Sequence, residues 1–410
     1  MRPLLLISYF FPPLGMAGVG RAWGLFRYLP HYGYQPYVLT VKPIAYPAYD
    51  NSLLVAADEK FITRTNSLDP SRLLYLAGVR KSVAPNRTGI LSRLATPDFK
   101  IWWTPFARRA ALRLIDKYEI RYVVTTSPPP SIHSLGLWLK QRRRIHWVAD
   151  FRDMWVTRPI ETAYLRGSQR KYSRQLLSQI QSGADRVVAV NASVAKYVGA
   201  SLAIANATES SFAPLWQTTA SPDQILRIGY LGTTDSVATI RPFVTALTSA
   251  LNQASISPQR VRLIFVGSCD ESILRTECAA VGLEDSLEII TYLPRSQAIA
   301  RLAAADILLA TLPDDGLTHV TGSKIFDYLI SGKQILAIAP RDSELGVLVE
   351  TAGHTCIAPS DFVNLEKFLH EALIRKQRRE THHVALHADA LEKYSYQSMA
   401  RAFARGLDAL

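Results

Sequence analysis

The sequence predicts an α/β protein made of two parallel-sheet domains, and three observations carry that expectation. At 410 residues the chain exceeds the roughly 100–200 residues of one ordinary domain. Short apolar, β-branched runs alternate with helix-length stretches from end to end, the pattern of right-handed βαβ units and parallel sheets. The alternation is interrupted by the polar stretch "SSFAPLWQTTASPDQ" (210–224) and then restarts. The expected division is residues 1–214 and 215–393, followed by an amphipathic terminal helix, "EKYSYQSMARAFARGLDAL".

In the first half, "LLLIS" (4–8) is the expected opening strand. A leader peptide also begins with a basic residue and an apolar run. This run is short, includes Ser8 and Tyr9, and ends in Pro-Pro without a small-x-small site, so a buried strand is expected. A glycine-rich loop follows, then a helix over "GRAWGLFRYLPHYG" closing at Gly33 and a strand "YVLTV" (37–41). From about 43 to 100 no periodicity is legible, and prolines and the basic pair Arg80-Lys81 mark an irregular segment. The pattern resumes with helix "FARRAALRLIDKYE", strand "RYVVTTS", and helix "SIHSLGLWLKQRRR" with Ser131 as its cap. Strands "HWVAD" (146–150) and "RVVAVN" (186–191) flank a long basic helix near 161–182. In the second half, "LRIGYLG" (226–232), "VRLIFVG" (261–267), "LEIITYL" (287–293), "DILLATL" (306–312) and "QILAIA" (334–339) are strands separated by helical stretches, "TIRPFVTALTSALNQ" the first of them.

Composition narrows the class. With 48% hydrophobic and 20% charged residues the chain is globular rather than disordered. No apolar run reaches the roughly 18 residues that span a bilayer. Cys269, Cys278 and Cys356 are too few and too scattered for a disulfide framework or a zinc site, which fits a reducing cytoplasm. Charge is uneven. Residues 1–214 carry 29 Lys+Arg against 12 Asp+Glu, a balance of +17, whereas residues 215–410 carry 18 against 22, a balance of −4. An excess of this kind suggests that the first half faces an anionic partner, a membrane surface or nucleic acid; a solvated basic surface is the alternative. No nucleic-acid module accompanies the basic residues.

Ligands of open parallel sheets sit at the carboxyl ends of the strands. A dinucleotide would call for G-x-G-x-x-G directly after a strand and an acid about 20 residues on. In "GMAGVGRAWG" Gly18 and Gly20 are followed by Trp23 where the third glycine belongs, and no acid ends "YVLTVK". No G-x-x-x-x-G-K-[ST] occurs either, so both classes are excluded. "TGSKIFDYLISGKQILAIAP" (321–340) points elsewhere. A helix opening on Thr321, Gly322, Ser323 and Lys324 offers unpaired backbone N–H groups, close backbone approach and a positive charge, which together suit an anion.

Five stretches then resemble the family 4 glycosyltransferases: "SYFFPPLGMAGVGRAWGLFRYLPHYGYQPYVLT", "PDFKIWWTPFARRA", "TTSPPPSIHSLGLWLK", "WVADFRDMW" and "GSKIFDYLISGKQILAI". They fall in order over about residues 4–340. The resemblance implies the GT-B architecture, two Rossmann-like domains facing a cleft, with the terminal helix (about 394–410) crossing back to the first. It further implies a nucleoside-diphosphate sugar as co-substrate on the second domain and a hydroxyl acceptor, lipid-linked or polysaccharide, on the first. Transfer with retention and no metal or other cofactor completes the expectation.

On this resemblance Lys324 and Arg241 are the cations that meet the leaving diphosphate. Asp327 stands where the family carries a glutamate for the donor ribose hydroxyls. Gly15, Met16, Gly18, Gly232, Thr233, Tyr292, Leu293, Thr321, Gly322 and Ser323 line the donor site; a base could stack on Tyr292. Asp153 is the candidate for touching the acceptor hydroxyl, with Asp150, Arg152, Ser127 and His133 on the acceptor side. Two departures stand out: His319 replaces the first of the family's paired acids, and the usual Gly-Gly pair reads Gly15-Met16, which requires a negative φ at Met16.

Plainer readings compete at each position. Lys324 and Asp327 are i, i+3 and suit a surface ion pair, Arg152–Asp153 a structural pair, and His383 and His387 surface histidines, because Val384 stands where a zincin needs Glu. At the level of function, a nucleotide-sugar 2-epimerase and a non-catalytic nucleotide-sugar-binding subunit are the alternatives to transfer. Basic surface without a spanning helix suggests peripheral docking on the cytoplasmic face of an anionic membrane.

Overall fold

The computed structural model describes residues 1–54, 59–78, 96–155, 167–217, 223–233, 237–312, 317–380 and 388–410. Arg80, Lys81, His383 and His387 lie outside them, as does part of the expected linker. The chain divides into two compact units, residues 1–207 with 394–410 and residues 208–393; residues 208–214 thus group with the second unit.

The first unit runs β1 (Arg2–Ile7), α1 (Gly20–Tyr28), β2 (Tyr34–Val41), β3 (Ile62–Thr65), α2 (Pro70–Leu76), α3 (Thr104–Tyr118), β4 (Tyr122–Ser127), α4 (Ser131–Lys140), β5 (His146–Phe151), α5 (Gly167–Gly183), β6 (Arg186–Ala189), α6 (Ala192–Val198) and β7 (Leu202–Ala203). Its seven strands pair in the order β3-β2-β1-β4-β5-β6-β7, every pair parallel. A parallel sheet covered on both faces needs apolar residues in both alternations, and the central strands supply them. Leu5, Ile7, Val123 and Ala149 enter one core layer; Leu4, Leu6, Val124 and Val148 enter the other.

The second unit runs β8 (Leu226–Leu231), α7 (Val237–Ala254), β9 (Val261–Val266), α8 (Glu271–Ala279), β10 (Leu287–Ile290), α9 (Arg295–Leu302), β11 (Ile307–Thr311), α10 (Lys324–Leu329), β12 (Gln334–Ile338), α11 (Glu344–Thr351), β13 (Thr355–Ile357), α12 (Phe362–Gln377) and α13 (Ala388–Lys393). Its sheet, β10-β9-β8-β11-β12-β13, is parallel throughout. The last helix, α14 (Tyr396–Asp408), belongs to the first unit. It packs on α1 so closely that a Cβ on Gly24 would stand 2.4 Å from the Tyr396 ring; only glycine admits this approach.

Three local readings change. β3 and α2 lie inside the stretch that shows no periodicity, because each is short and α2 carries no apolar face turned inward. Ser131 does not cap α4. Asp98 does so from outside the helix, accepting from the Ser131 N–H at 2.7 Å and the Ser131 hydroxyl at 2.9 Å. Tyr292 and Leu293 lie beyond the end of β10.

Candidate functional site

In an open parallel sheet the chain leaves in opposite directions from two neighbouring strands, and the crevice between their carboxyl ends is the natural ligand position. The strand orders place this switch between β1 and β4 in the first unit and between β8 and β11 in the second.

At the second switch, β8 ends in Gly232 (φ 132°) and β9 in Gly267 (φ 135°). A Cβ on Gly267 would stand 2.2 Å from the Gly232 carbonyl oxygen, so the two loops cross at a distance that only glycine allows. Tyr328 of α10 fixes the floor: its buried hydroxyl accepts the Leu231 N–H at 2.8 Å. Lys324, the first residue of α10, extends over this floor. Its Nζ lies 3.4 Å from the centroid of the Tyr230 ring and 3.8 Å from where a Cβ on Gly232 would be. Among the described residues no carboxylate forms an ion pair with Lys324. A half-buried ammonium over an aromatic face and beside bare glycine backbone is arranged to meet an anion. Thr233 is exposed next to it and holds the Tyr230 hydroxyl through its carbonyl at 2.8 Å. Thr321, Gly322 (φ 71°) and Ser323 form the turn into α10. This helix has only six residues, and no Ser323 side-chain bond caps it.

Asp327 requires correction, and Arg241 is found in an ion pair. Asp327 is fully buried. Its carboxylate takes the Arg295 guanidinium side-on at 2.8–3.2 Å and also accepts from the Thr208 hydroxyl. Its acceptor capacity is therefore engaged inside the second unit. It is not offered to a ribose, nor does it pair with Lys324. Arg241 projects from α7 into solvent and is held by Glu277 of α8 through two bonds of 2.8 Å. His319 is buried. Tyr292 and Leu293 are half-buried past β10, the edge strand, two strands from β8.

At the first switch the charged residues are likewise paired inward. Asp150, at the end of β5, is fully buried. It is held by Arg21 of α1 at 2.8–3.2 Å and by the Thr126 hydroxyl at 2.6 Å. Arg152 ties three loops together, donating to the carbonyls of Ser127 (2.7 Å), Gly18 (2.5 Å) and Pro128 (3.4 Å). Burial pulls its guanidinium down from the ordinary arginine value, while the carboxylates of Asp150 and Asp153 act the other way. The Ser127 side chain is buried. His133 is a core residue: its Nδ1 meets the Thr125 hydroxyl at 2.8 Å and its ring stacks on Phe151 at 4.3 Å. That hydroxyl also accepts from the Trp147 indole at 2.9 Å. Burial drives the imidazole pKa down to about 3. Asp150, Arg152, Ser127 and His133 are thus internal supports, not groups presented to an acceptor. Gly15, Met16 and Gly18 remain at the surface of the loop after β1. Gly15 donates to Ala48 at 3.2 Å, and Met16 sits at φ −95°, the sign that a side chain requires there. Asp153 is half-buried beside Arg152.

Arg21, Arg295, Thr208, Tyr230, Tyr328 and Gly267 were not singled out by the sequence reading. Gly267 carried a signal, a glycine closing a strand as Gly232 does. The two arginines carried none, because their partners stand 129 and 32 residues away.

No family model and no curated protein matches the chain. Solved structures do. Sucrose-phosphate synthase from Thermosynechococcus elongatus is 14% identical with a TM-score of 0.64, over 100% of this chain and 99% of that one. The structure described as "Trehalose-6-phosphate from E. coli bound with UDP-2-fluoro glucose" is 13% identical with a TM-score of 0.63, over 100% and 99%. WaaG, a glycosyltransferase involved in lipopolysaccharide biosynthesis, is 12% identical with a TM-score of 0.55, over 98% and 95%. At such identities the likeness carries the fold: two Rossmann-like units with all-parallel sheets, as in solved structures of the GT-B architecture.

Proposed function

We propose that the chain transfers a sugar from a nucleoside-diphosphate donor to the hydroxyl of a lipid-linked or polysaccharide acceptor, with retention and without a metal. The observation that carries this reading is Lys324 at the β8/β11 switch, poised over glycine backbone and the Tyr230 ring. Loss of a nucleoside diphosphate places negative charge on the departing phosphate, and a fixed cation stabilises it where a metal would otherwise do so. The second unit holds the donor on Gly232, Thr233 and the turn 321–323, with the base towards Tyr292 and Leu293. The first unit takes the acceptor, whose hydroxyl meets Asp153 beside the loop carrying Gly15, Met16 and Gly18. The excess of basic residues in the first half supports docking on an anionic cytoplasmic membrane face. Among the described residues no helix is long and apolar enough to cross a membrane.

A thermal-shift panel of nucleoside-diphosphate sugars tests the reading, followed by assay of diphosphate release with and without candidate acceptors, in EDTA. One donor should raise Tm and release diphosphate only with acceptor. Turnover of the donor without acceptor would make the protein a 2-epimerase. Binding without turnover would make it a nucleotide-sugar-binding subunit. Activity lost in EDTA and restored by Mn²⁺ would refute the assignment of the charge to Lys324.

A further inference from the structure

Helix α2 is held firmly at its base and left bare at its end. Asp69 caps it, accepting from the Ser71 N–H at 3.1 Å and the Ser71 hydroxyl at 2.8 Å. The same carboxylate accepts from the Tyr9 hydroxyl at 2.9 Å and pairs with Lys100. Arg72 is buried, donates to the Lys42 carbonyl, and lies over the rings of Tyr9 and Tyr46 at 5.8 and 5.7 Å. Polar contacts therefore position the helix, whereas its large apolar side chains face water: Leu73 is 45% exposed, Leu74 39%, Tyr75 40% and Leu76 66%, with Leu68 at 47% just before. Scattered exposed leucines are ordinary. Five large apolar residues within nine positions are a patch that asks for a partner.

We propose that α2 is the element by which the first unit docks on a membrane, its apolar end entering the headgroup boundary of an anionic bilayer. Charge selects this occupant over another protein surface. From residue 70 to 97 the sequence has no Asp or Glu, and Arg80, Lys81, Arg87 and Arg93 follow the helix; these four lie outside the described residues and enter as sequence alone. A short apolar element next to a run of cations matches a leaflet with an apolar interior beneath an anionic surface. The inference rests on the membrane-docking part of the proposed function and is independent of glycosyl transfer.

The test is flotation of the full chain with vesicles of phosphatidylglycerol mixed with phosphatidylcholine, and with phosphatidylcholine alone. The variants are Leu73→Glu/Leu76→Glu and, as a milder change, Leu73→Ser/Leu76→Ser, with Tm confirming that both are folded. The wild type should float with the mixed vesicles and less with the neutral ones. The Ser variant should lose roughly 10²-fold in partitioning, as burial of two leucines implies, and the Glu variant more. If the wild type floats and both variants float equally well, the membrane reading survives and α2 is not its anchor. A wild type that floats with neither vesicle overturns both. Variants that break a dimer on a sizing column yet keep vesicle binding would make a second copy of the chain the occupant and refute the proposal.

Discussion

Replacing Lys324 with alanine removes the ammonium from the β8/β11 switch and leaves the rest of the crevice standing, because Tyr328 and the glycine loops are held by other bonds. The size of the loss follows from position. A unit charge about 4 Å away, at the effective dielectric of about 20 typical near a protein surface, is worth about 4 kcal/mol. The diphosphate is charged before the bond breaks, so only the charge that develops in the transition state counts towards turnover. If roughly half to all of a unit charge develops, the loss is about 2–4 kcal/mol, or roughly 30- to 10³-fold in kcat. Donor affinity should change less. Steady-state kinetics with the donor selected by the thermal-shift panel separate kcat from KM. Arg241→Ala is the matched control: it removes an exposed cation of the same unit that is paired with the buried carboxylate of Glu277, and it should leave kcat within about threefold. A folded Lys324→Ala enzyme with wild-type kcat would show that no charge develops near this lysine and that the donor lies elsewhere.

Two further outcomes follow from the buried charges. Asp327→Ala should cost about 3–5 kcal/mol in urea unfolding by stranding Arg295. Pairing it with Arg295→Leu should recover part of that loss, and a simple sum of the two single losses would mean that the residues do not interact. His133, neutral in the fold with its pKa near 3, binds a proton more readily when unfolded, near 6.5. It therefore contributes stability in full above about pH 6.5 that is lost as pH falls towards 3, by up to about 1.4 kcal/mol per unit. Unfolding midpoints of wild type and His133→Gln between pH 7 and pH 4 (~3 units) should show the steeper decline in the wild type; parallel curves would refute it.

The architecture was legible because parallel sheets announce themselves locally. Each central strand is a short apolar run, and each crossover is a helix of recognisable length. What escaped was short or non-local. β3 has four residues and β7 two, too few for a period to register. α2 reads against its pattern because its apolar residues face out. The candidate site was legible where it rests on backbone, at the glycines closing β8 and beginning the turn into α10. Of its charges, Lys324 stands at the switch, whereas Asp150 and Asp327 turn inward. An acid at a strand end or in a first helical turn looks the same in sequence whether it meets a ligand or an arginine from another segment. Asp150 and Asp327 each found the arginine.

That distinction narrows where an anion can bind. A buried ion pair gains little net stability, but losing one member is costly, so Arg21–Asp150 and Arg295–Asp327 are fixed features of their units, each tying a strand end or helix start to a distant segment. Neither arginine can turn to a phosphate without exposing a buried carboxylate to an unpaired state. Arg152 is bound by three loop carbonyls, and moving it would release the loops after β1 and β4 together. Arg241 is exposed but already paired with Glu277. Of the cations considered at these strand ends, Lys324 alone combines a position at a switch, a flexible stem and no carboxylate partner among the described residues. Its contact with the Tyr230 ring is also the weakest of these interactions to displace, since a cation–π contact at a part-exposed site is worth about 0.5–1 kcal/mol. An incoming diphosphate could take the ammonium at almost no structural cost, which is what the proposed transfer asks of a group that binds the donor, stabilises the leaving charge and then lets the product go.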